Sequence, residues 1–262
     1  MASRPSFLVD INGVLYTGNK PIAGAAEAVD FLRDNDYSFR FISNATQSCR
    51  ATLHKKLKSL GFDIREKELF TAPVATARYI KKTGMKRCFL ITTGDVYKDF
   101  KKEGIVQTDK RPDHVVIGDA GKGFTYERMN AAFNYILEGA DLIAMEKDRY
   151  WRSSRGLALC GGPYTAALEY ATGIKATLIG KPSRDFLLLA LADMNAKPKN
   201  TILIGDDLIT DIAGAQRAGM RGFLVTSGKH DRKDAKRSVI KPDEVLDSIA
   251  GLRGLDLYNK KK

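Results

Sequence analysis

Two alternating patterns constrain the fold of this chain more than anything else in it. Short apolar runs rich in β-branched and aromatic residues lie at 6–10 (SFLVD), 38–43 (SFRFIS), 88–92 (CFLIT), 114–118 (HVVIG), 142–145 (LIAM), 176–179 (ATLI), 201–205 (TILIG) and 222–225 (GFLV). Turn chemistry closes each one. Between most of them run stretches of helical period, at 25–35, 47–60, 72–83, 125–138, 164–172, 184–194 and 211–218. Short strands alternating with amphipathic helices predict βαβ units, a mostly parallel sheet and an α/β fold. No internal repeat breaks the pattern, and low complexity is confined to the lysines at 260–262. A chain of 262 residues suits one large domain or two small ones.

A parallel α/β sheet binds ligands at the carboxyl ends of its strands. The first run ends on Asp10 and the second on Ser43. Asp206 and Asp207 follow TILIG at once, and Lys181 follows ATLI as Gly180-Lys181-Pro182. These groups come from the first and last parts of the chain. The middle, about residues 84–176, lacks such strand-end acids and reads as an inserted second α/β unit.

Asp10 opens the run Asp10-Ile11-Asn12-Gly13-Val14-Leu15-Tyr16. An acid at a strand end before a glycine turn is expected to be exposed, beside backbone N–H groups that form an anion-binding concavity. Lys181, and a divalent cation held by Asp10 and Asp206, would relieve the repulsion between that carboxylate and an anion. Mg2+ prefers such hard oxygen ligands. Asp10 could then attack phosphorus and form an aspartyl-phosphate. Ser43 and the Asn44 backbone would hold the transferring oxygens, which is most of what phosphoryl transfer asks of a protein. Taken singly, Asp10 or Ser43 is more often a structural turn residue. Four such groups in order, each after a strand, change that balance.

Asp10 in DxNGV, Ser43-Asn44, Lys181 in GKP and the run Gly205-Asp206-Asp207-Leu208-Ile209-Thr210-Asp211 resemble the four ordered motifs of the haloacid dehalogenase (HAD) superfamily. The large insert between the Ser and Lys motifs resembles NagD-type phosphatases with a C2 cap. Residues 167–176 (ALEYATGIKA), 180–183 (GKPS) and 214–217 (GAQR) narrow the resemblance further. They point to the branch named for phosphatases of phospholysine, phosphohistidine and inorganic pyrophosphate, and to its HAD-like relatives. The resemblance implies a Rossmann-like HAD core with a parallel sheet, at 1–83 and 178–262, and an inserted α/β C2-type cap at 84–177. It implies Asp10 as nucleophile and Mg2+ ligand, Asn12 as a ligand through its backbone carbonyl, and Asp206 as a direct ligand. Ser43 and Asn44 would bind the phosphoryl group, with Ile11 and Asn12 lining it, and Lys181 would bridge Asp10 and phosphate. Asp211 and Asp207 would orient water or Lys181 from behind.

One departure matters. HAD phosphatases mostly carry a second Asp two residues after the nucleophile, as general acid and base; here that residue is Asn12. An amide neither protonates a leaving oxygen nor deprotonates water, and such help is worth about 10²–10⁴-fold. Two readings follow. The protein is a slow phosphatase, or one whose substrate has a leaving group needing little protonation, such as a phosphoramidate or pyrophosphate. Alternatively, Asn12 marks a phosphate-binding protein without turnover, or an engineered Asp→Asn trap. The resembling branch, with Ser there, favours the first.

In the insert, Lys147-Asp148-Arg149-Tyr150-Trp151-Arg152 places the chain's one tryptophan among cations. On residues alone this is an exposed loop with a packed aromatic. The resemblance implies a cap loop that selects substrate, with Arg149 and Tyr150 as contacts. Phe124, Tyr126, Phe133 and Tyr135 fall at spacings a helix accommodates and read as core or cap-dimer contacts rather than base-stacking platforms; the resemblance, through the cap-mediated dimers of that family, makes a homodimer through the cap plausible. His54, His114 and His230 read as surface or partly packed residues, remote from every motif. Cys49, Cys88 and Cys160 fit no metal or disulfide pattern and read as reduced, packed thiols. No apolar run approaches the roughly 20 residues of a membrane span, and the first residues lack a signal-like apolar region. The expected setting is cytoplasmic.

The net charge of +12 invites an anionic partner. A nucleic-acid binder would cluster that charge. Here residues 86–176 hold 14 Lys+Arg and 12 Asp+Glu, and the excess is spread over Lys55, Lys56, Lys58, Lys81, Lys82 and the tail. The expected partner is a small phosphorylated substrate, not nucleic acid or a membrane.

Overall fold

A computed structural model describes residues 4–153 and 156–255; the lysines at 260–262 lie outside them. The chain forms two compact units. Of the described residues, one holds 4–43, 54–70 and 181–255; the other holds 44–53, 71–153 and 156–180.

A six-stranded sheet underlies the first unit. Its order is Glu244–Leu246, Arg221–Val225, Thr201–Gly205, Ser6–Asp10, Ser38–Ser43, Leu69–Thr71. Ser6–Asp10 pairs in parallel with Thr201–Gly205 on one side and with Ser38–Ser43 on the other. Leu8, Val9, Leu203 and Ile204 are fully buried, as expected of central parallel strands covered on both faces. The Ala25–Asp34 helix buries Ala25, Ala28, Val29 and Leu32, one stripe at helical spacing. The Arg184–Asp193 helix buries Phe186, Leu187, Ala190 and Leu191, with Phe186 against Phe70.

The second unit has its own five-stranded sheet, ordered Thr177–Leu178, Asp141–Ala144, His114–Ile117, Arg87–Ile91, Val106–Gln107 and parallel throughout. The helices Tyr126–Leu137 and Gly161–Thr172 pack against each other, and Leu168 joins Phe89, Ile91, Val115, Ile117, Ala132 and Ile136 in one core. Architecturally this is an α/β core with an inserted α/β cap.

Several elements differ from the sequence expectation. The helix expected over 47–60 starts at Arg50, because Asp95 and Asp99 accept the backbone N–H groups of Cys49 and Arg50, both at 2.8 Å, and cap it there. The helix expected over 211–218 begins earlier, as a wide π-helical turn at Leu208–Ala213 that continues as Gly214–Arg217. Asp207 sets that start by accepting Ile209 N and Thr210 N. Trp151 lies not in a loop but in a hairpin, Tyr150–Ser153 antiparallel to Gly156–Leu159. All three cysteines are free and buried. No helix of the described residues is long and apolar enough to cross a membrane.

Candidate active site

Asp10 ends the central strand at the point where the strand order reverses. One neighbouring strand follows it closely in sequence and the other comes from the far end of the chain. Such a switch point leaves a crevice at the carboxyl edge of the sheet. Ser43, at the end of Ser38–Ser43, and Asp206, next after Thr201–Gly205, reach the same edge.

Contrary to the sequence expectation, Asp10 is buried, with 6% exposure. Its Oδ1 lies 2.6 Å from Lys181 Nζ, and the same ammonium lies 2.7 Å from Asp211 Oδ1. Burial alone would lower the Lys181 pKa, but the carboxylates of Asp10 and Asp211 outweigh it and hold the ammonium charged. The Asp10 pKa is raised as well, which for a carboxyl favours the neutral form. Burial raises its pKa, Lys181 opposes, and the charges of Asp211 and Asp206 add to the rise. Burial and then Asp211 raise Asp206 as well. Three carboxylates therefore face one ammonium.

That imbalance suits a divalent cation. Asp10, Asp206 and Asp211 present oxygens within 4.8 Å of one another. Asp211 is already committed, with Oδ1 on Lys181 and Oδ2 accepting Asp207 N at 3.1 Å. Asp206 Oδ2 accepts Lys229 N at 2.7 Å. Asp10 and Asp206 are thus the pair that keeps an oxygen free for a cation, and an all-oxygen donor set fits Mg2+. Two glycines make room for this arrangement: a Cβ on Gly13 or on Gly228 would overlap Asp206 Oδ2. At Gly13 the backbone is also left-handed, at φ +83°.

The Asp10–Tyr16 turn is tied by Gly13 N to Tyr16 O (2.8 Å) and Leu15 N to Ile11 O (2.9 Å). Ile11 is buried, whereas Asn12 is exposed at the mouth of the turn. Ser43 is buried, and Asn44 follows it, with its Nδ2 3.5 Å from Asp148 Oδ2. Asp207 caps the turn after Asp206 and pairs with Lys229 rather than Lys181; burial would raise its pKa, but Lys229 and the backbone donors hold it low. Arg149 and Tyr150 lie on the second unit, exposed at the start of its hairpin, with the guanidinium 5.9 Å from the ring centroid.

Sequence reasoning passed over four residues here. Ser227 Oγ donates to Gly13 O at 2.7 Å, and Lys229 meets Asp206 and Asp207. His230, expected to stand apart from the motifs, accepts Leu208 N on Nδ1 at 3.3 Å, and its own N–H reaches Asp206 O. These three follow Arg221–Val225, a strand legible in the sequence whose carboxyl end was the available signal. The fourth, Tyr16, is buried, and burial and then the Asp10 charge raise its pKa; Lys56 Nζ sits 4.3 Å from its ring centroid. His114 also differs from expectation, being fully buried in the second unit.

The family description "Haloacid dehalogenase-like hydrolase" matches residues 7–106, and a second, HAD-hydrolase-like, matches residues 178–252. Haloacid dehalogenase-like hydrolase domain-containing protein 2 of Bos taurus is 44% identical over 237 residues, 89% of this chain and 90% of that protein. Phospholysine phosphohistidine inorganic pyrophosphate phosphatase of Homo sapiens is 41% identical over 256 residues, 95% of this chain and 93% of that one. Among solved structures, NagD from E. coli K-12 superposes with a TM-score of 0.88 at 27% identity, covering 97% of this chain and 99% of that one. A p-nitrophenyl phosphatase from Archaeoglobus fulgidus gives a TM-score of 0.91 at 26% identity, covering 96% and 99%.

Proposed function

We propose that this chain, which belongs to the haloacid dehalogenase-like hydrolases and to their NagD type, is a Mg2+-dependent phosphatase of a small phosphorylated substrate, working through an aspartyl-phosphate on Asp10. The family supplies the coarser statement, a HAD-type phosphatase. The observation that carries the finer one is the placement of Lys181 Nζ between Asp10 and Asp211, with Asp206 beside them. That arrangement sets positive charge against Asp10 and opposes the rise in its pKa that burial and the neighbouring carboxylates cause, and a cation on Asp10 and Asp206 would favour the ionised form that a carboxylate nucleophile requires.

In this reading an oxygen of Asp10 attacks phosphorus, the bond from phosphorus to the leaving group breaks, and the leaving group departs with the electron pair. Water then attacks phosphorus, the bond to Asp10 breaks, and the carboxylate and inorganic phosphate are released. Lys181 offsets charge on Asp10 and the phosphoryl oxygens, and Ser43 and Asn44 hold those oxygens, with Ile11 and Asn12 alongside. Asp211 holds Lys181 in place. Asp10 and Asp206, with the Asn12 carbonyl, would hold Mg2+, which supplies Lewis-acid charge stabilisation when bound. Asn12 brings no proton, so the leaving group takes its proton from solvent, and phosphoramidates and pyrophosphate suit that better than ordinary esters.

Further parts of the proposal concern the second unit and the setting. Arg149 and Tyr150 on its hairpin select the substrate. A second copy of the chain docks on the cap, where Tyr126, Leu137 and Tyr170 leave the two packed helices with 78%, 58% and 93% exposure. The protein works in the cytoplasm.

The test is phosphate release from p-nitrophenyl phosphate, pyrophosphate and a phosphoramidate, with Mg2+ and with EDTA. Turnover should need Mg2+ and vanish in Asp10→Asn. Binding of phosphate without any turnover would favour the second reading that Asn12 raises, a phosphate-binding protein.

A further inference from the structure

We propose that Glu146 is a positioning residue for substrate selection, fastening both roots of the hairpin that carries Arg149 and Tyr150. The inference rests on the reading above that this hairpin selects substrate. Glu146 follows the Asp141–Ala144 strand by two residues and is 1% exposed. Its Oε2 accepts Asp148 N at 2.5 Å on the outgoing root. Its Oε1 accepts Gly161 N at 2.7 Å and the Cys160 thiol at 3.1 Å on the returning root. Two backbone bonds close the base beside it, Cys160 N to Arg149 O and Gly162 N to Asp148 O. One carboxylate thus ties together two points twelve residues or more apart in sequence.

The chemistry explains why an acid sits there. Gly161 is the first residue of the Gly161–Thr172 helix, and Cys160 caps it without a side-chain bond to its amides. Glu146 satisfies one of those orphan N–H groups and places negative charge at the positive end of the helix. Gly161 is needed for the approach, since a Cβ there would crowd Glu146 Oε1. Packing offers the hairpin little alternative support: Tyr150, Trp151, Leu157 and Leu159 are all between 42% and 65% exposed. The outgoing root also leads to the phosphate motif. Asp148, whose backbone Glu146 holds, has its carboxylate 3.5 Å from the Asn44 amide.

Glu146 faces Asp148 on one root and Cys160 on the other, with Asp119 acting on Cys160 from the end of the next strand. Lys147 is turned away to Glu169, at 2.8 Å. Burial pushes the Glu146 carboxyl up to about 7, with Asp148 adding to the rise, against its three donors. Protonation turns an accepting oxygen into an O–H and loosens one root.

Glu146→Gln keeps the shape and removes the charge. With p-nitrophenyl phosphate and saturating Mg2+, KM should rise about tenfold at alkaline pH, the loss expected for hydrogen bonds to a charged group, while kcat stays within about twofold. Wild-type KM should rise as pH falls through neutrality, and the Glu146→Gln profile should be flat. A variant KM equal to wild type, or a fall in kcat at constant KM, overturns the inference. So does a flat wild-type profile, which needs no variant and stays readable if Glu146→Gln fails to fold. Arg149→Ala and Tyr150→Ala separate the two levels. If neither changes KM, the hairpin reading itself fails. If they raise KM and Glu146→Gln does not, only the role of Glu146 falls.

Discussion

The Lys181 ammonium lies 2.6 Å from the Asp10 carboxylate, and both side chains are buried. The same ammonium holds Asp211, which is fully buried. Lys181→Met would leave two buried carboxylates uncompensated, at a cost of about 3–5 kcal/mol. It would also remove the charge proposed to steady the transferring phosphoryl group. The expected result is a lower urea midpoint together with loss of phosphate release by about 10³-fold. Normal turnover in a folded Lys181→Met protein would end the proposed role.

The acid cluster makes stability depend on pH in a sense that a cation reverses. Burial raises Asp10, as do Asp211 and Asp206; burial and Asp211 raise Asp206. Carboxyls with raised folded-state pKa values bind protons more tightly when folded. Their contribution is therefore present at low pH and is lost as pH rises from the ordinary carboxylate range through the raised values. Mg2+ competes with protons for the same oxygens. Its stabilising effect should grow with pH, so the Tm difference between excess Mg2+ and EDTA should be larger at about pH 8 than at about pH 5. Equal or reversed differences in thermal denaturation would contradict a cation site on Asp10 and Asp206.

Gly228 tests the geometry around Asp206 without changing any charge. A Cβ there would overlap Asp206 Oδ2, and Lys229, the next residue, donates its N–H to that oxygen. Gly228→Ala should displace Asp206 or the loop and raise the Mg2+ concentration needed for half-maximal activity by at least about tenfold. Titration of activity against Mg2+ reads this directly. An unchanged Mg2+ requirement would mean that Asp206 is not a ligand.

Much of this was legible in the sequence because strands announce their ends. Asp10, Ser43, Lys181 and Asp206 each follow an apolar run, and the parallel sheet brings three of those ends together at one edge. Residues outside that pattern were not legible. Ser227, Lys229 and His230 reach the site through backbone and loop contacts that no spacing rule encodes. Arg232–Arg237 is a helix of six residues, too short to show a period, and it is fixed by an Asp231–Asp234 capping box. Glu146 was invisible for a related reason. A lone acid after a strand reads as a turn residue until its three donors are seen.

The last test concerns the residue that departs from the family pattern. Asn12 is exposed on the turn directly after Asp10, two residues from that proposed nucleophile. Its backbone is held by pairing with Tyr16, so replacing its side chain leaves the turn intact. Asn12→Asp restores a carboxyl able to protonate a leaving oxygen and later to take a proton from water. With an ordinary phosphomonoester that has a poor leaving group, turnover should rise, up to the range of about 10²–10⁴-fold expected for general acid–base help. With p-nitrophenyl phosphate the gain should be smaller, because its leaving group needs little protonation. The ratio of the two gains is the decisive quantity. A rate unchanged or lowered on both substrates would show that Asn12 is not the missing acid. A large gain confined to the poor leaving group would place proton transfer at this position and identify its absence as what limits this chain.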